Sequence, residues 1–418
     1  MILKKVLKNK PLQNFVFISL YQGVNFLPLV IFIPFLTKTV GVDKFGLLML
    51  MQTICSFFYV LSDYSFSVTT VRKLSIHREN IPMVATIIKN TLGLKLLLLA
   101  ISFPLFWIAA VFFLKSQFEI FFVLMGYTVV IGQATFPTWL CQGLEKNKML
   151  FITNLISKIL LCFLVFYFIK TDNYTFYLLF VGITTFLTGL LLMFYIITKD
   201  LKLSINYTFS IKEILDELKE GKDVFFSNFS ISIYLSTNIL LLSIFVSPYL
   251  IGLYGIADRL MMLVRTIIGI FVQAIYPNVC KLANQMSFAN TIKYALKITI
   301  PFNVVIFIMC LTIWYFSPQI SSFFIKKNIN QLALIIESIS FLPFLVSLNT
   351  VPNVVLFAYN KEKIKLYILL SSVGISLILS LLIVPHFQIK GTIYISFAVE
   401  SFVALSSIYY LFLLKKSK

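Results

Sequence analysis

Long apolar runs, separated by short polar segments, follow one another along almost the whole chain. A helix needs about 20 mostly apolar residues to cross a bilayer, and these runs reach that length. They are continuously apolar rather than alternating, which favours helices over the strands of a membrane barrel. The pattern predicts about twelve spanning helices, at residues 12–37, 42–71, 83–114, 118–143, 149–170, 174–198, 224–247, 249–279, 291–316, 331–359, 366–385 and 390–414.

Composition supports this interpretation. Hydrophobic residues make up 59% of the chain and charged residues only 12%, whereas soluble domains are about half apolar and a quarter charged. We therefore predict an all-α polytopic membrane protein. The basic start, MILKKVLKNK, resembles a signal peptide, but the apolar run after it is too long for one, so we expect a retained first helix.

The basic residues are unevenly placed, and their placement explains the formal net charge of +19. If the N-terminus lies inside, Lys and Arg concentrate at the inner helix ends, for example at 4–10, 72–78 and 361–365, and are sparse at the outer ends. This is the positive-inside pattern, and it predicts that both termini are cytoplasmic. The charge thus reflects orientation, and no nucleic-acid partner is expected.

Cysteine and histidine give no sign of a metal site or a cofactor. The five cysteines lie in apolar segments without paired spacing, and only two histidines occur, far apart in the chain. We expect free thiols and neither a metal nor a cofactor.

The chain has a weak internal repeat. The polar segment 199–222 separates six predicted helices from six others and is predicted to be an amphipathic cytoplasmic linker. GLL at 46–48 corresponds to GLY at 252–254, and PTWLCQGLEKNK from Pro137 corresponds to PNVVLFAYNKEK from Pro352. Because six is even, both halves have the same orientation, so the repeat is parallel.

This repeat predicts two six-helix lobes, at 1–198 and 223–418, related by a parallel pseudo-twofold. Their second helices carry polar or small residues at matching positions, which are Gln52, Ser56, Tyr59, Asp63, Ser67 and Thr70 in one and Asp258, Met262, Arg265, Gly269, Gln273 and Tyr276 in the other. Such a stripe should face protein or water rather than lipid. It indicates either a hydrogen-bonded helix seam or a water-filled central cavity between the lobes, and the matching registers favour the cavity.

Charged residues also fall inside the predicted spans. Four are basic and three are acidic: Lys95, Lys158, Arg259 and Arg265, and Asp63, Asp258 and Glu400. Each could belong to a structural ion pair, but as a set they indicate a transport path. A cationic interior suits an anionic substrate, and arginine offers paired donors for phosphate oxygens. Arg265 is the preferred phosphate ligand, with Asp258 on the same helix face as its partner.

Uncharged polar groups and helix breaks complete the predicted site. Sugar hydroxyls would contact Gln22, Asn25, Gln52, Tyr59, Asn228 and Gln273. The three acids, Asp63, Asp258 and Glu400, would carry a coupling proton or form ion pairs. Pro28 and Pro34 should kink the first helix and allow it to act as a gate.

Three segments resemble a known family. YQGVNFLPLVIFIPFLTKTVGVDKFG from Tyr21, FPTWLCQGLEKNK from Phe136, and IGLYGIADR with QAIYP in the eighth predicted helix are similar to segments of Wzx-type O-antigen flippases. The resemblance extends over essentially the whole chain. It implies membership of the multidrug/oligosaccharidyl-lipid/polysaccharide exporter superfamily.

The resemblance carries further implications. Wzx-type proteins move undecaprenyl-pyrophosphate-linked oligosaccharide repeat units across the bacterial inner membrane by alternating access, with proton coupling in some members. It implies the lipid bilayer as surroundings, and the polysaccharide polymerase and chain-length regulator as partners. Related lipid II flippases use arginines in helices 1, 2 and 8, whereas here only the eighth predicted helix has interior arginines.

Three alternatives remain at this point. A drug or cation antiporter of the same superfamily would use acids such as Asp63, although a basic cavity disfavours cationic drugs. A polysaccharide polymerase or membrane glycosyltransferase would need larger or more acidic outer loops than this chain has. A non-transporting scaffold would not need so many charges inside the spans.

Overall fold

The computed structural model describes residues 10–201, 211–283, 285–359 and 361–416, and in these ranges it contains helices and no strands. The basic residues before Lys10 and the linker residues 202–210 lie outside the described part. The α-helices are α1 (Lys10–Val24), α2 (Ile33–Thr39), α3 (Val42–Asp63), α4 (Thr69–Ile76), α5 (Ile81–Leu114), α6 (Ile120–Thr135), α7 (Thr138–Gly143), α8 (Asn147–Phe168), α9 (Phe176–Tyr195), α10 (Ile211–Phe245), α11 (Pro248–Ala283), α12 (Phe288–Tyr315), α13 (Ser317–Phe324), α14 (Ile329–Ile339), α15 (Leu342–Leu348), α16 (Thr350–Ala358) and α17 (Glu362–Lys416).

The number of spanning helices agrees with the sequence pattern. Ten helices of the described part are long and apolar enough to cross a membrane, and α10 adds a pair of helical segments bent by 45° between Tyr234 and Ser236. The longest helix, α17, is two helices that meet at Gln388, whose φ of 48° is not helical. Counting both halves of α17 gives the twelve predicted spans within the described residues. The prediction of an all-α polytopic membrane protein is confirmed.

The chain forms two compact units. The first consists of Met1–Phe32 and Leu50–Ser232, and the second of Ile33–Met49 and Ile233–Lys418. Two helices are therefore shared: α3 begins in the second unit and ends in the first, and α10 begins in the first and ends in the second.

One predicted helix is too long. The pattern predicts a helix over 42–71, but α3 ends at Asp63, and Tyr64 has a φ of 52°. A non-glycine residue rarely adopts this left-handed conformation. The Tyr64 hydroxyl donates to the carbonyl oxygen of Leu218 at 2.7 Å, which helps to hold the break. The predicted polar stripe is therefore wrong beyond Asp63, because Ser67 and Thr70 do not continue its helix.

The first unit has its hydrophobic core where α4, α5, α7 and α9 meet. Leu74, Val84, Trp139 and, directly after α9, Ile196 are almost completely buried there. A Cβ atom on Gly143 would overlap Leu74, so the absence of a side chain lets α7 approach α4 closely. The motif from Phe136 thus has a clear packing role in this unit.

The second unit contains a close helix contact between α3 and α11. A Cβ atom on Gly46 would overlap the carbonyl group of Pro248, and one on Gly252 would overlap the carbonyl oxygen of Val42. These two glycines are equivalent positions of the predicted repeat, and they meet in one unit. Only glycine allows the two backbones to approach this closely.

We expect Gly252→Ala to destabilise the protein, because the added methyl group must push α11 away from α3. Overpacking costs about 1–3 kcal/mol. Gly269→Ala in the same helix is the matched control, since a Cβ atom there meets nothing within 4 Å, and alanine favours a helix by about 0.5–1 kcal/mol over glycine. Thermal unfolding of the detergent-purified variants, followed by size-exclusion chromatography, should place Gly252→Ala below wild type and Gly269→Ala at or above it. A Gly252→Ala protein as stable as wild type would contradict the close contact.

Candidate functional site

A buried ion pair joins α11 to the second half of α17. Arg265 Nη2 lies 3.1 Å from Glu400 Oε1, and the two side chains are 21% and 8% exposed. Both residues belong to helices that span the membrane. Burying a lone charge is costly, and removing one partner of such a pair leaves the other uncompensated, at a cost of about 3–5 kcal/mol. Each side chain therefore depends on the other.

A small cavity adjoins this pair. Its volume is about 30 Å³, which is room for about two water molecules. Three helices of the second unit supply mainly polar groups to it. The lining residues are Tyr234 and Asn238 of α10, Asp258, Met262 and Arg265 of α11, and Ser376, Ser396, Val399 and Glu400 of α17.

Hydrogen bonds hold part of this lining in place. Asn238 Nδ2 donates to Ser396 Oγ at 3.1 Å, and Ser396 Oγ donates in turn to the carbonyl oxygen of Thr392 at 2.8 Å. These bonds connect α10 to α17 beside Glu400. The cavity wall is therefore cross-linked by polar contacts rather than formed by apolar packing alone.

Arg265 retains unused capacity to donate hydrogen bonds. Its Nε is buried and has no hydrogen-bond partner among the described residues. A guanidinium has five donors in a fixed plane, and a buried donor left without a partner costs about 1–3 kcal/mol. An anion or a water molecule beside Arg265 would remove that cost.

The sequence predicted Asp258 as the partner of Arg265, and the structure provides Glu400 instead. Asp258 lines the same cavity, but it is not within ion-pair distance of any basic group in the described residues. The reason is helical geometry. Asp258 and Arg265 are seven residues apart in α11, so their Cα atoms lie roughly 10 Å apart along the helix axis. Glu400 comes from another helix at the level of Arg265, so it can make the contact.

The first unit has its own buried ion pair. Lys95 Nζ of α5 lies 2.9 Å from Asp63 Oδ1 at the end of α3, and it also donates to the carbonyl oxygen of Ala134 at 3.0 Å. The ammonium lies 5.4 Å from the centre of the Phe66 ring. The two side chains are 5% and 14% exposed. Lys95 is thus well satisfied by the protein itself.

The other predicted basic residues are less engaged. Arg259 and Lys158 are half-buried, and within the described residues neither lies within ion-pair distance of an acid. Arg259 is next to Asp258 in α11 but does not line the cavity. Their role as substrate ligands stays a prediction.

None of the six uncharged residues predicted for sugar binding lines this cavity. Gln52 Nε2 donates to the Tyr177 hydroxyl at 3.4 Å, and Asn25 Oδ1 accepts from Asn154 Nδ2 at 3.1 Å. The remaining four divide by exposure, with Gln22 and Gln273 exposed and Tyr59 and Asn228 half-buried. Their sugar-binding role also stays a prediction.

The first helix is irregular at the predicted prolines. Helix α1 ends at Val24, and a π-helical segment, Pro28–Phe32, precedes α2. Pro34 lies in the first turn of α2, where a proline is tolerated. Wide turns of this kind often mark functional positions, and the gating role of the two prolines stays a prediction.

Four polar lining residues escaped the sequence prediction: Tyr234, Asn238, Ser376 and Ser396. A signal for three of them was present. Tyr234 and Asn238 are four residues apart, as are Ser396 and Glu400, so each pair shares one helix face. The sequence alone does not show that these faces meet Arg265.

Solved structures with the same fold are transporters. An inward-facing multidrug resistance MATE family transporter of the MOP superfamily matches over 96% of this chain and 94% of its own, with a TM-score of 0.69 and 14% identity. The lipid II flippase MurJ in an inward closed conformation matches over 94% of this chain and 87% of its own, with a TM-score of 0.69 and 16% identity. At such identities the likeness concerns the fold.

Sequence relatives agree with this fold assignment. A protein named "Putative O-antigen transporter" from Shigella dysenteriae is 26% identical over 85% of this chain and 89% of its own length. A protein of the same name from Escherichia coli (strain K12) is 23% identical over 94% of each chain. The model of the family described as "Polysaccharide biosynthesis protein" matches residues 12–283, more than half of the sequence. The chain belongs to this polysaccharide biosynthesis protein family.

Proposed function

We propose that this protein is a flippase for lipid-linked oligosaccharides. Its substrate would be an undecaprenyl-pyrophosphate-linked repeat unit of O-antigen or another polysaccharide, moved from the inner to the outer leaflet of the bacterial inner membrane. The observation that carries the proposal is Arg265, a guanidinium held inside a spanning helix beside a polar cavity. The family and the names of the two relatives support the same substrate class.

The chemistry of Arg265 fits a pyrophosphate. Its planar donors match two phosphate oxygens at once, and such charge-assisted bonds are stronger inside a protein than in water. Glu400 would hold the guanidinium when no substrate is present, and Nε is still available to a ligand. A pyrophosphate would thus take the place of Glu400 as the anionic partner of Arg265.

Transport requires this site to open. A space of about 30 Å³ holds water but not a pyrophosphate with its sugar. The proposed cycle is alternating access, in which the helices around Arg265 separate to admit the head group while the polyprenyl tail stays in lipid.

The other predicted residues take subsidiary roles in this proposal. The remaining basic groups would help to attract the head group, the uncharged residues would contact sugars, the acids would carry a coupling proton, and the prolines would allow gating. We also propose cytoplasmic termini, the lobes 1–198 and 223–418 with the linker 199–222, and contacts with the polysaccharide polymerase and chain-length regulator. The basic groups are Arg259, Lys95 and Lys158, the sugar contacts are Gln22, Asn25, Gln52, Tyr59, Asn228 and Gln273, the acids are Asp63, Asp258 and Glu400, and the prolines are Pro28 and Pro34.

The alternative is a drug or cation antiporter. Two acids at one cavity, Asp258 and Glu400, are the observation that favours it. The Arg265 guanidinium between them opposes a cationic substrate, because like charges repel strongly in a low-dielectric site.

Complementation separates the two functions. The gene would be expressed in a strain that lacks its own flippase and makes the matching repeat unit, and surface glycan would be measured. Restored glycan supports the flippase. Resistance to cationic dyes without restored glycan, in a correctly inserted protein, would favour the antiporter.

In this assay we expect Arg265→Gln to lower surface glycan by about tenfold or more, since a hydrogen bond between charged groups contributes about 1.5–3 kcal/mol. In this variant the Glu400 carboxylate loses its charged partner, which lowers stability. The amount of protein is therefore measured by immunoblot. The surface variant Arg72→Ala is the control for arginine loss, as the Arg72 side chain is 70% exposed and its contact with Glu220 is 3.5 Å long.

The double variant Arg265→Gln/Glu400→Gln distinguishes substrate binding from a purely structural pair. It removes both charges of the ion pair, so it should accumulate better than Arg265→Gln alone. We expect its glycan to remain below that of Glu400→Gln alone. Recovery of the double variant to the level of Glu400→Gln would mean that Arg265 only balances Glu400.

We expect Glu400→Gln to weaken proton coupling. The amide oxygen still accepts a hydrogen bond from Arg265, but the guanidinium loses its carboxylate partner, so the amount of protein is measured by immunoblot beside export. Wild-type export should fall as the medium pH rises, since the inward proton gradient decreases, and Glu400→Gln export should be low and insensitive to medium pH. Glu337→Gln is the control, because Glu337 does not line the cavity. Its carboxylate accepts a hydrogen bond of 2.7 Å from Ser317 Oγ. A wild-type pH profile in Glu400→Gln would exclude Glu400 as the coupling acid.

A further inference from the structure

Two lysines lie on the face of α12 that is turned away from the protein. Lys293 and Lys297 are exposed, whereas Thr291, Ala295 and Thr299 of the same helix are buried. Successive residues of an α-helix turn by about 100°, so the two lysines are about 40° apart around the axis and about 6 Å apart along it. We call these two residues the α12 lysine pair.

The face that carries the lysine pair is otherwise apolar. Ile300, Val304 and Ile308 continue it at helical spacing and are 56%, 52% and 55% exposed. Helix α12 is long and apolar enough to span the membrane, and an exposed apolar surface of this kind is typical of contact with lipid. The lysine pair therefore belongs to a lipid-facing surface.

The depth of the lysine pair follows from the other end of α12. Trp314 and Tyr315 are 46% and 69% exposed, and these residue types are enriched at membrane–water interfaces. The hydrocarbon core is about 30 Å thick, which corresponds to about 20 helical residues, so counting back from Trp314 reaches about residue 294, between the two lysines. The pair thus lies at the opposite interface, at the level of the lipid phosphates.

The protein supplies no counter-charge to this pair within its described part. The sequence of α12 contains no acidic residue, and no described acid lies within ion-pair distance of either lysine. A lysine ammonium has three donors and no acceptor. Like charges one helical turn apart destabilise each other. The pair therefore favours an anion with several acceptor oxygens.

The first unit does not repeat the pair. The internal repeat aligns IK at 88–89 of α5 with IK at 292–293 of α12. On this alignment Gly93 stands where α12 has Lys297. Leu96, one turn further along α5, is 60% exposed, so this face of α5 also meets lipid. The second lysine is therefore specific to α12 and is not required by the duplicated fold.

We propose that the α12 lysine pair binds the phosphate of an anionic glycerophospholipid, such as phosphatidylglycerol, whose acyl chain lies along Ile300 and Val304. Bilayer lipid contacts this face at all times, and the lysine stems can lie along the helix while the ammonium groups reach the head group. A lipid with a net negative charge binds better than a zwitterionic one, because no amine of its own neutralises its phosphate. In the proposed orientation this lipid belongs to the cytoplasmic leaflet.

A tryptophan placed beside the pair measures lipid binding at this surface. Ile300→Trp lies one turn from Lys297, and a brominated lipid quenches tryptophan fluorescence only at close range. The variant is reconstituted into phosphatidylcholine vesicles that contain increasing fractions of brominated phosphatidylglycerol or brominated phosphatidylcholine. The signal of the three natural tryptophans is measured in the wild-type protein and subtracted. We expect half-quenching by phosphatidylglycerol at a mole fraction about tenfold lower, because each lysine near an anionic lipid contributes a factor of about five.

The same measurement on the lysine-free surface tests the pair directly. Lys293→Gln/Lys297→Gln, introduced into the Ile300→Trp protein, should abolish the preference for phosphatidylglycerol. Lys326→Gln/Lys327→Gln is the matched control, because it removes two exposed lysines that lie between α13 and α14 rather than on the lipid-facing surface of α12. This control should keep the preference.

The repeat offers a second control. Leu96→Trp places the reporter on α5 at the position equivalent to Ile300, beside Gly93 instead of Lys297. It should show a clearly smaller preference for phosphatidylglycerol. If Ile300→Trp does not reconstitute, Val304→Trp on the same face replaces it.

Several outcomes would overturn the inference. They are equal quenching by the two brominated lipids, an equal preference at the α5 reporter, and the same loss of preference in the Lys326→Gln/Lys327→Gln control, which would indicate general attraction by charge. Displacement of brominated phosphatidylglycerol by a much smaller fraction of undecaprenyl phosphate would assign the surface to a transport substrate instead. The readout is lipid binding and not export, so failure of this inference is distinguishable from failure of the proposed function.

Discussion

A charge buried within a membrane-spanning helix is costly unless it is paired, and each unit contains one buried ion pair that meets this constraint. The first unit meets it with Lys95 and Asp63, and the second with Arg265 and Glu400. Neither pair resembles a surface ion pair, whose contribution is usually below about 1 kcal/mol. In a low-dielectric interior each partner compensates the charge of the other, so loss of either one leaves an uncompensated charge.

The two pairs differ in how completely they are satisfied. Lys95 has a carboxylate, a carbonyl oxygen and an aromatic ring around its ammonium. Arg265 has a carboxylate, but its Nε has no partner in the described part of the chain. A fully satisfied charge is suited to fixing a structure, and a partly satisfied one is suited to exchanging partners. This difference makes the second unit the better place to expect ligand chemistry.

The sequence predicted those features that depend on hydrophobicity and chain order. The apolar runs predict the spanning helices, including the two halves of α17, because whether a run crosses the bilayer depends on its own length and apolar composition. The end of α3 was missed because it depends on the left-handed conformation of Tyr64 and on a hydrogen bond to Leu218, a residue far along the chain. Local propensity carries no information about such a contact.

The candidate site shows the same division. Arg265, Asp258 and Glu400 were identified because charges stand out in apolar helices, and the structure places them at one cavity. The pairing with Glu400 was not identified, because it depends on the level at which α17 passes α11. The hydrogen bond from Lys365 Nζ to Ser407 Oγ was missed for a related reason. Lys365 follows Lys361 and Lys363, so in the sequence it looks like one more basic residue at an inner helix end.

The path of the chain between the units has a consequence for how this protein could be divided. Residues 33–49 belong to the second unit, where Gly46 packs against Pro248 and Thr37 donates to the carbonyl oxygen of Phe324. A fragment that begins in the linker would therefore lack one of its own helices and would expose the glycine face of α11. The two compact units differ from the halves of the sequence repeat chiefly in the placement of residues 33–49. Any split or hybrid transporter made from this chain would need to keep α2 and the beginning of α3 together with α11.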